Sequence, residues 1–242
     1  MDPDVRLTLL SGFECAFDGR PVPLAPSGQR LIAFLALQDR WIPRSLCAGT
    51  LWPDSPEVHA AANLRSVLWR LNVSPHPLVD TSRSDLRLAS SVWVDVHEMT
   101  RSSERLFIAA GPHGEDDDAA LDVDRTSFGA DLLPDWTDDW VMVERERLRQ
   151  LRLHALEVLC DRLTVARRFG EAVQAGLAAV KAEPLRESAQ RSLIRAHLAE
   201  GNLGEAVRQY RSFRQLLHEE LGVEPSPELE DLVPIDRLAL SG

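Results

Sequence analysis

The chain has 242 residues, of which 44% are hydrophobic, so it has enough apolar side chains for one large or two ordinary folded domains. Its formal net charge of -11 is unevenly spread, with -1 on residues 1–110 and -10 on residues 111–242. These values exclude a disordered chain and indicate two halves with different functions.

A membrane-spanning or exported chain is not expected either. The longest uninterrupted apolar run, residues 31–37, is too short to cross a bilayer, and the first four residues are acidic rather than basic. Cys15, Cys47 and Cys160 lack disulfide or metal spacing and are interpreted as reduced core thiols. We therefore predict a cytoplasmic protein with no membrane partner.

The chain opens with a predicted antiparallel sheet. Residues 5–9 alternate between apolar and polar side chains, and a second strand over residues 13–17 meets Asp18-Gly19, a strong two-residue hairpin turn. A third strand is predicted at residues 22–24.

Three helices follow. Ser27 is placed to cap a first helix that ends at Asp39, and Trp41-Ile42 is a short extended piece. Pro43 suits the first turn of a second, short helix that stops at Trp52-Pro53, and residues 60–72 form the third. Two short helices, a turn and a further helix are typical of a helix-turn-helix.

The third helix has two contrasting faces. At about 100° per residue, an apolar stripe faces one way and a polar arc without any acid faces the other. The stripe consists of Leu64, Val67, Leu68 and Leu71, and the arc of Asn63, Arg65, Ser66, Trp69 and Arg70. A purely cationic face in an acidic chain predicts contact with the major groove of double-stranded DNA.

A β-hairpin directly after these helices would form a wing. Residues 78–79, the polar turn 82–85 and the alternating segments 86–88 and 92–96 have strand patterns. Arg83 at the tip is positioned for the DNA backbone or minor groove, and Arg44 for a phosphate, with plain exposure an equal alternative for both.

The side chains of the polar arc leave alternatives open. Arg65 and Arg70 are predicted to contact bases or phosphates, and Ser66 either of these. Asn63 pairs with adenine edges or caps a helix start. We favour packing of Trp69 against the hairpin or its own domain over contact with a thymine methyl group or a sugar.

The second half is predicted to be helical from Asp138 onward, after a linker at residues 109–124 that is rich in Gly, Pro and acids. Gly170-Glu171-Ala172-Val173 recurs 34 residues later as Gly204-Glu205-Ala206-Val207. That period is typical of tetratricopeptide helix pairs, which bind proteins or themselves. Trp136 and Trp140 are expected to anchor this stack or its packing on the winged helix.

Catalytic and metal chemistry have no motif in the sequence. The seven His residues are scattered without ligand spacing, and a nucleophile elbow and a P-loop are absent. We predict neither an enzyme nor a bound cofactor or metal.

Several strings together resemble a known family. In the second half these are Leu132-Leu133-Pro134-Asp135-Trp136, Glu183-Pro184-Leu185-Arg186-Glu187 and Glu219-Glu220-Leu221-Gly222-Val223-Glu224-Pro225-Ser226-Pro227-Glu228-Leu229. They resemble the bacterial transcriptional activator domain. Joined to Leu51-Trp52-Pro53 and Leu86-Arg87-Leu88, they resemble the Streptomyces antibiotic regulatory protein (SARP) family.

The resemblance implies an α+β chain with an OmpR-type winged helix-turn-helix at residues 1–108 and a tetratricopeptide-like activator domain at residues 125–242. It also implies a homodimer that binds direct repeats in promoter DNA and recruits RNA polymerase holoenzyme. Two features depart from the family: Pro43 replaces the usual Ser cap, and residues 63–71 differ from the commoner sequence pattern of the family. The alternative is a helical-repeat adaptor whose degenerate winged helix contacts protein.

Overall fold

The computed structural model describes residues 5–72, 77–109, 121 and 128–233. The chain is α+β, mostly helical with small sheets near its amino terminus, and has two compact units. The first comprises Met1–Met99 and Ala130–Leu148, and the second Thr100–Gly129 and Arg149–Gly242. Apart from Ala109 and Leu121, the predicted linker lies outside the described residues.

One sheet of the first unit has the strand order β3-β2-β1-β7. The bounds are β1 Val5–Thr8, β2 Glu14–Phe17, β3 Arg20–Pro21 and β7 Val92–Val94. The predicted turn between β2 and β3 is confirmed, since Asp18 and Gly19 have φ of 46° and 73°, the two positive values of a type I′ turn. The third strand ends at Pro21, so the strand predicted at residues 22–24 is wrong.

The strand β7 corrects another expectation. It pairs in parallel with β1, so the sheet is not purely antiparallel, and it ends at Val94 rather than at residue 96. Asp95 instead begins helix α4, Asp95–Ala109, because its buried carboxylate accepts the backbone N–H groups of Leu10 at 2.9 Å and Val96 at 2.7 Å. The N–H of Leu9 also lies 3.0 Å from both carboxylate oxygens. The alternation of apolar residues therefore predicted a strand that is too long, because periodicity does not reveal that the Asp95 carboxylate binds backbone N–H groups and starts a helix.

The three predicted helices are present in the first unit as α1 Pro26–Gln38, α2 Arg44–Leu51 and α3 Glu57–Asn72. Ser27 does not cap α1, since the helix begins after Ala25 without a side-chain cap and Pro26 occupies the first turn. Pro26 needs no N–H partner there, which makes a hydroxyl cap dispensable. Asp39 ends α1 in the left-handed region, with φ of 45°.

A second sheet has the order β4-β6-β5, with β4 Ile42–Pro43, β5 Val79–Thr81 and β6 Asp85–Leu88. Strands β5 and β6 form a hairpin whose turn contains Arg83. Arg87 stabilises this sheet because its guanidinium lies 2.8 Å from the carboxylate of Asp80 and 4.7 Å from the ring centroid of Trp41.

The segment Ala130–Leu148 completes the first unit. Its backbone joins the end of β1, with Ser11 donating to the carbonyl of Asp131 at 2.8 Å and Leu133 to that of Leu9 at 2.9 Å. Trp136 stacks on Phe13 with ring centroids 5.9 Å apart. The sequence predicted that Trp136 anchors the helical stack or its packing on the winged helix, and its aromatic partner Phe13 lies in the first unit.

The described residues of the second unit are mainly helical, as predicted from Asp138 onward. They include the part of α4 from Thr100, and the later helices are α5 Asp139–Val165, which starts in the first unit, α6 Phe169–Ala182, α7 Glu187–Glu200, α8 Leu203–Leu221 and α9 Pro227–Glu230. A methyl group at Gly176 would meet Leu193 at 3.1 Å and the sulfur of Cys160 at 3.2 Å, so these helices pack closely. In the described part of the chain, no helix is long and apolar enough to cross a membrane.

Candidate nucleic-acid interface

Helix α3 separates its faces as the sequence predicts. Leu64, Val67, Leu68 and Leu71 are buried, and Asn63, Arg65, Ser66, Trp69 and Arg70 are all exposed. Beyond Glu57 the helix carries no acidic residue. The apolar stripe holds α3 against α1 and α2, and this packing presents the opposite arc to solvent.

The cations of this arc are not neutralised. Within the described residues, neither Arg65 nor Arg70 forms an ion pair with a carboxylate. Arg70 donates from Nε to the carbonyl of Ser66 at 3.2 Å, and the Ser66 hydroxyl donates to the carbonyl of Ala62 at 3.0 Å. The side chains of Ser66 and Arg70 therefore bind the backbone of their own helix. The positive charges of Arg65 and Arg70 remain available to an anion.

The expected packing of Trp69 against the hairpin or its own domain is wrong. Its side chain is 71% exposed, so it packs neither against the hairpin nor into the core of its own unit. At three and four residues from Ser66 and Arg65, it lies beside them on the helix surface. The apolar stripe is already filled by leucine and valine, which leaves the indole on the solvent side.

Helix α3 begins three residues before the predicted start, which adds two exposed residues to the arc. Val58 is 75% exposed, and His59 is exposed as well. The first turn forms when His59 and Ala60 donate to the carbonyl of Pro56. The signal for this earlier start was Pro56, which immediately precedes the helix and has no backbone N–H that needs a partner there.

Arg44 connects α2 to the hairpin turn. Its backbone N–H donates to the carbonyl of Ser84 at 2.9 Å, and its guanidinium donates to the carbonyl of Ser82 at 3.1 Å. Ser82 accepts the N–H of Asp85 through its hydroxyl at 2.9 Å, which closes the turn. Arg44 is half-buried, and Arg83 is exposed at the tip. Arg44 thus positions the turn that presents Arg83, a contact that sequence reasoning missed.

A cavity of about 160 Å³ lies between the start of α1 and the end of α3. Val67, Arg70 and Leu71 line it on the α3 side, and Ser27 and Gly28 on the α1 side. Arg70 therefore lines this cavity although the residue as a whole is exposed.

The described residues contain no cluster of metal-ligating side chains. No group of three or more His, Cys, Asp or Glu side chains there could hold a metal ion. Cys15, Cys47 and Cys160 are buried and unpaired, and burial raises the pKa of Cys47 to about 11 and of Cys160 to about 12. These thiols are protonated core side chains at neutral pH.

Comparison with known proteins identifies a family for the later part of the chain. Residues 94–233 match the model of the bacterial transcriptional activator domain. The regulatory protein AfsR of Streptomyces coelicolor is 28% identical over 216 residues, which cover 86% of this chain and 22% of AfsR. AfsR of Streptomyces griseus is 39% identical over 89 residues, or 37% of this chain and 9% of that protein. The chain thus spans about a fifth or less of the length of these relatives.

A solved structure shares the fold. Mycobacterium tuberculosis EmbR, determined in complex with a low-affinity phosphopeptide, superposes with a TM-score of 0.72 at 21% identity. The match covers 98% of this chain and 65% of the EmbR chain.

The family that these matches indicate is one of transcription regulators. The chain belongs to the bacterial transcriptional activator domain family, and the predicted resemblance to SARP-type transcription activators is confirmed.

Proposed function

We propose that the chain is a sequence-specific regulator that binds promoter DNA through its first unit. In this proposal α1, α2 and α3 form an OmpR-type winged helix-turn-helix, and α3 enters the major groove. The hairpin of β5 and β6 acts as the wing, and Arg83 at its tip contacts the DNA backbone or minor groove.

The observation that carries this proposal is the exposed arc of α3. Arg65 and Arg70 lie on it without carboxylate partners, and Asn63 and Ser66 add hydrogen-bonding groups. A cationic, donor-rich helix face on a nearly neutral amino-terminal half suits a localised DNA contact. Because half or more of protein–DNA hydrogen bonds go to phosphate and sugar, we assign phosphate contacts as well as base contacts to these residues.

We further propose that the remaining helices act as a tetratricopeptide-like protein-binding domain. The recurrence of Gly170-Glu171-Ala172-Val173 as Gly204-Glu205-Ala206-Val207 begins α6 and α8, and Ala172 and Ala206 are fully buried. This acidic domain would recruit RNA polymerase holoenzyme and support a homodimer on direct repeats. DNA binding belongs to residues 1–108 and activation to residues 125–242, while Ala130–Leu148 also stabilises the first unit.

Selection of binding sites from a random duplex library tests the DNA-binding function. The full chain is expected to enrich a direct repeat, and the Arg70→Ala variant is expected to enrich it much less. Arg211→Ala, which removes an exposed arginine from α8, is the matched control and should enrich the wild-type site. Failure of the wild-type chain to enrich any sequence at low salt would contradict the proposal.

The second candidate is a protein-interaction adaptor with a degenerate winged helix. The exposure of Val58 and Trp69, 75% and 71%, favours it because both apolar side chains lie on the polar arc. Affinity purification after nuclease treatment separates the two candidates. Protein partners that are retained by wild type and lost by Trp69→Ala, without enriched DNA, would favour the adaptor.

A further inference from the structure

Trp69 is unusual among the side chains on the exposed arc of α3. Its indole is 71% exposed, whereas a large aromatic ring ordinarily contributes to a core. The polar neighbours Ser66 and Arg70 hydrogen-bond to carbonyls of their own helix, at Ala62 and Ser66 respectively. The indole therefore offers the largest apolar surface of the arc to whatever α3 binds.

The charge around Trp69 points to nucleic acid as its partner. Arg65 precedes it by one helical turn, Arg70 is adjacent in sequence, and no acid follows Glu57 on α3. A protein surface that buried this indole would also have to accept two unpaired cations. A DNA groove supplies phosphates for those cations and an apolar group for the indole in the same contact.

The chemistry of the major groove narrows the contact to one base. The C5-methyl group of thymine is the apolar group that the four base pairs present there, and O4 beside it is a hydrogen-bond acceptor. An indole ring combines an apolar edge with a single donor at Nε1 and has no acceptor. Adenine and guanine also present the acceptor N7, but neither they nor cytosine carries an apolar group in the groove, so the methyl group is what distinguishes thymine.

We propose that Trp69 is a specificity-determining residue that recognises the methyl edge of a thymine in each half-site. The inference rests on the proposed entry of α3 into the major groove. It adds the base that is recognised and the side chain responsible. Arg65 and Arg70 supply affinity through charge in this arrangement, and the indole supplies discrimination between thymine and the other bases.

Substitution of thymine by deoxyuracil provides the test because it removes only the methyl group. Each thymine of the selected site is replaced singly, and affinity is measured for the full chain. At one position per half-site, wild type is expected to bind about fourfold more weakly, the effect of one buried methyl-sized group. The Trp69→Ala variant should bind the thymine and deoxyuracil sites equally, and Arg211→Ala should retain the wild-type difference.

A second variant tests the two parts of the contact. Trp69→Phe keeps an apolar ring but lacks the N–H donor, so it should still discriminate against deoxyuracil while binding more weakly than wild type. Placing 5-methylcytosine at the same position should partly restore the affinity that cytosine loses.

The outcomes separate this inference from the proposed function. Specific binding with no deoxyuracil-sensitive position, or the same sensitivity in Trp69→Ala, would overturn the role of Trp69 and leave DNA binding intact. Loss of a protein partner by Trp69→Ala with unchanged DNA discrimination would assign the indole to a protein surface. Absence of specific binding by wild type would overturn both proposals.

Discussion

The indole of Trp140 meets the ring of Phe34 edge-on, with centroids 5.4 Å apart and planes at 81°. Trp140 lies in the first turn of α5, and Phe34 is buried in α1, so residues more than a hundred positions apart share one core. Trp136 continues the aromatic cluster, at 6.3 Å from Trp140. The proposed DNA-binding unit thus depends on a segment that lies within the activator-domain match.

We expect Trp140→Ala to lower the free energy of unfolding of the first unit by about 2–4 kcal/mol, because it removes a largely buried ring from this cluster. Val143→Ala in the same helix is the control, since Val143 is 69% exposed and should change stability by less than about 0.5 kcal/mol. Urea denaturation followed by tryptophan fluorescence, with circular dichroism as a second probe, measures both. Equal stability of the two variants would show that the aromatic contact contributes little.

Asp95 is expected to be indispensable for the junction of β1, β7 and α4. Its carboxylate accepts the N–H groups of Leu9, Leu10 and Val96, and Asp95→Ala would leave these buried donors unpaired. We expect a loss of about 3 kcal/mol or more, from roughly 1–3 kcal/mol per unpaired donor. Chemical denaturation measures this loss. Asp95→Asn, which retains one acceptor oxygen, should lie between Ala and wild type, and any other order would contradict this account.

Arg70→Ala is expected to weaken promoter binding about 10- to 100-fold, the range for loss of one direct contact. Because Arg70 lines a cavity, Arg70→Met is the better test of charge, since methionine retains a long apolar side chain. Gel-shift titration on the selected site measures both variants, and thermal denaturation checks the fold. Wild-type affinity in Arg70→Met would remove α3 from the proposed interface.

The salt dependence of binding should be shallow. Arg44, Arg65, Arg70 and Arg83 are the proposed phosphate contacts, and each neutralised phosphate contributes about -0.9 to the slope of log affinity against log salt concentration. We therefore expect a slope no steeper than about -3.6 per protomer. Arg83→Ala should reduce its magnitude by about one if it contacts a phosphate. A slope that required about ten phosphates per protomer would refute this interface.

Cys47 and Cys160 should resist alkylation in the native protein. Burial raises the pKa of these thiols from 9.0 to about 11 and about 12, so at pH 8 the folded state contains almost no thiolate. Between pH 9 and the raised values, the unfolded state loses these protons first, and stability should therefore fall as the pH rises through this interval. Mass spectrometry after iodoacetamide treatment, with and without denaturant, measures reactivity. Native labelling at the denatured rate would contradict burial.

Local sequence patterns were sufficient for several elements. The stripe of Leu64, Val67, Leu68 and Leu71 predicted which face of α3 is buried, because helical periodicity alone defines an apolar side. Asp18-Gly19 predicted the first turn, since both residues tolerate positive φ. The family strings predicted the bacterial transcriptional activator domain, and the family comparison confirms it.

Tertiary structure decided what covers each apolar face and what remains uncovered. Alternation at residues 92–94 indicated a strand but could not show that β1 would be its partner. The packing of Trp140 against Phe34 is likewise a long-range contact, which periodicity does not encode. Trp69 is the opposite case. An indole is usually buried because it is large and apolar, but the apolar stripe of α3 is complete without Trp69. The position of Trp69 on the helix follows from the sequence, but only the fold shows that neither the hairpin nor the rest of the unit covers its indole.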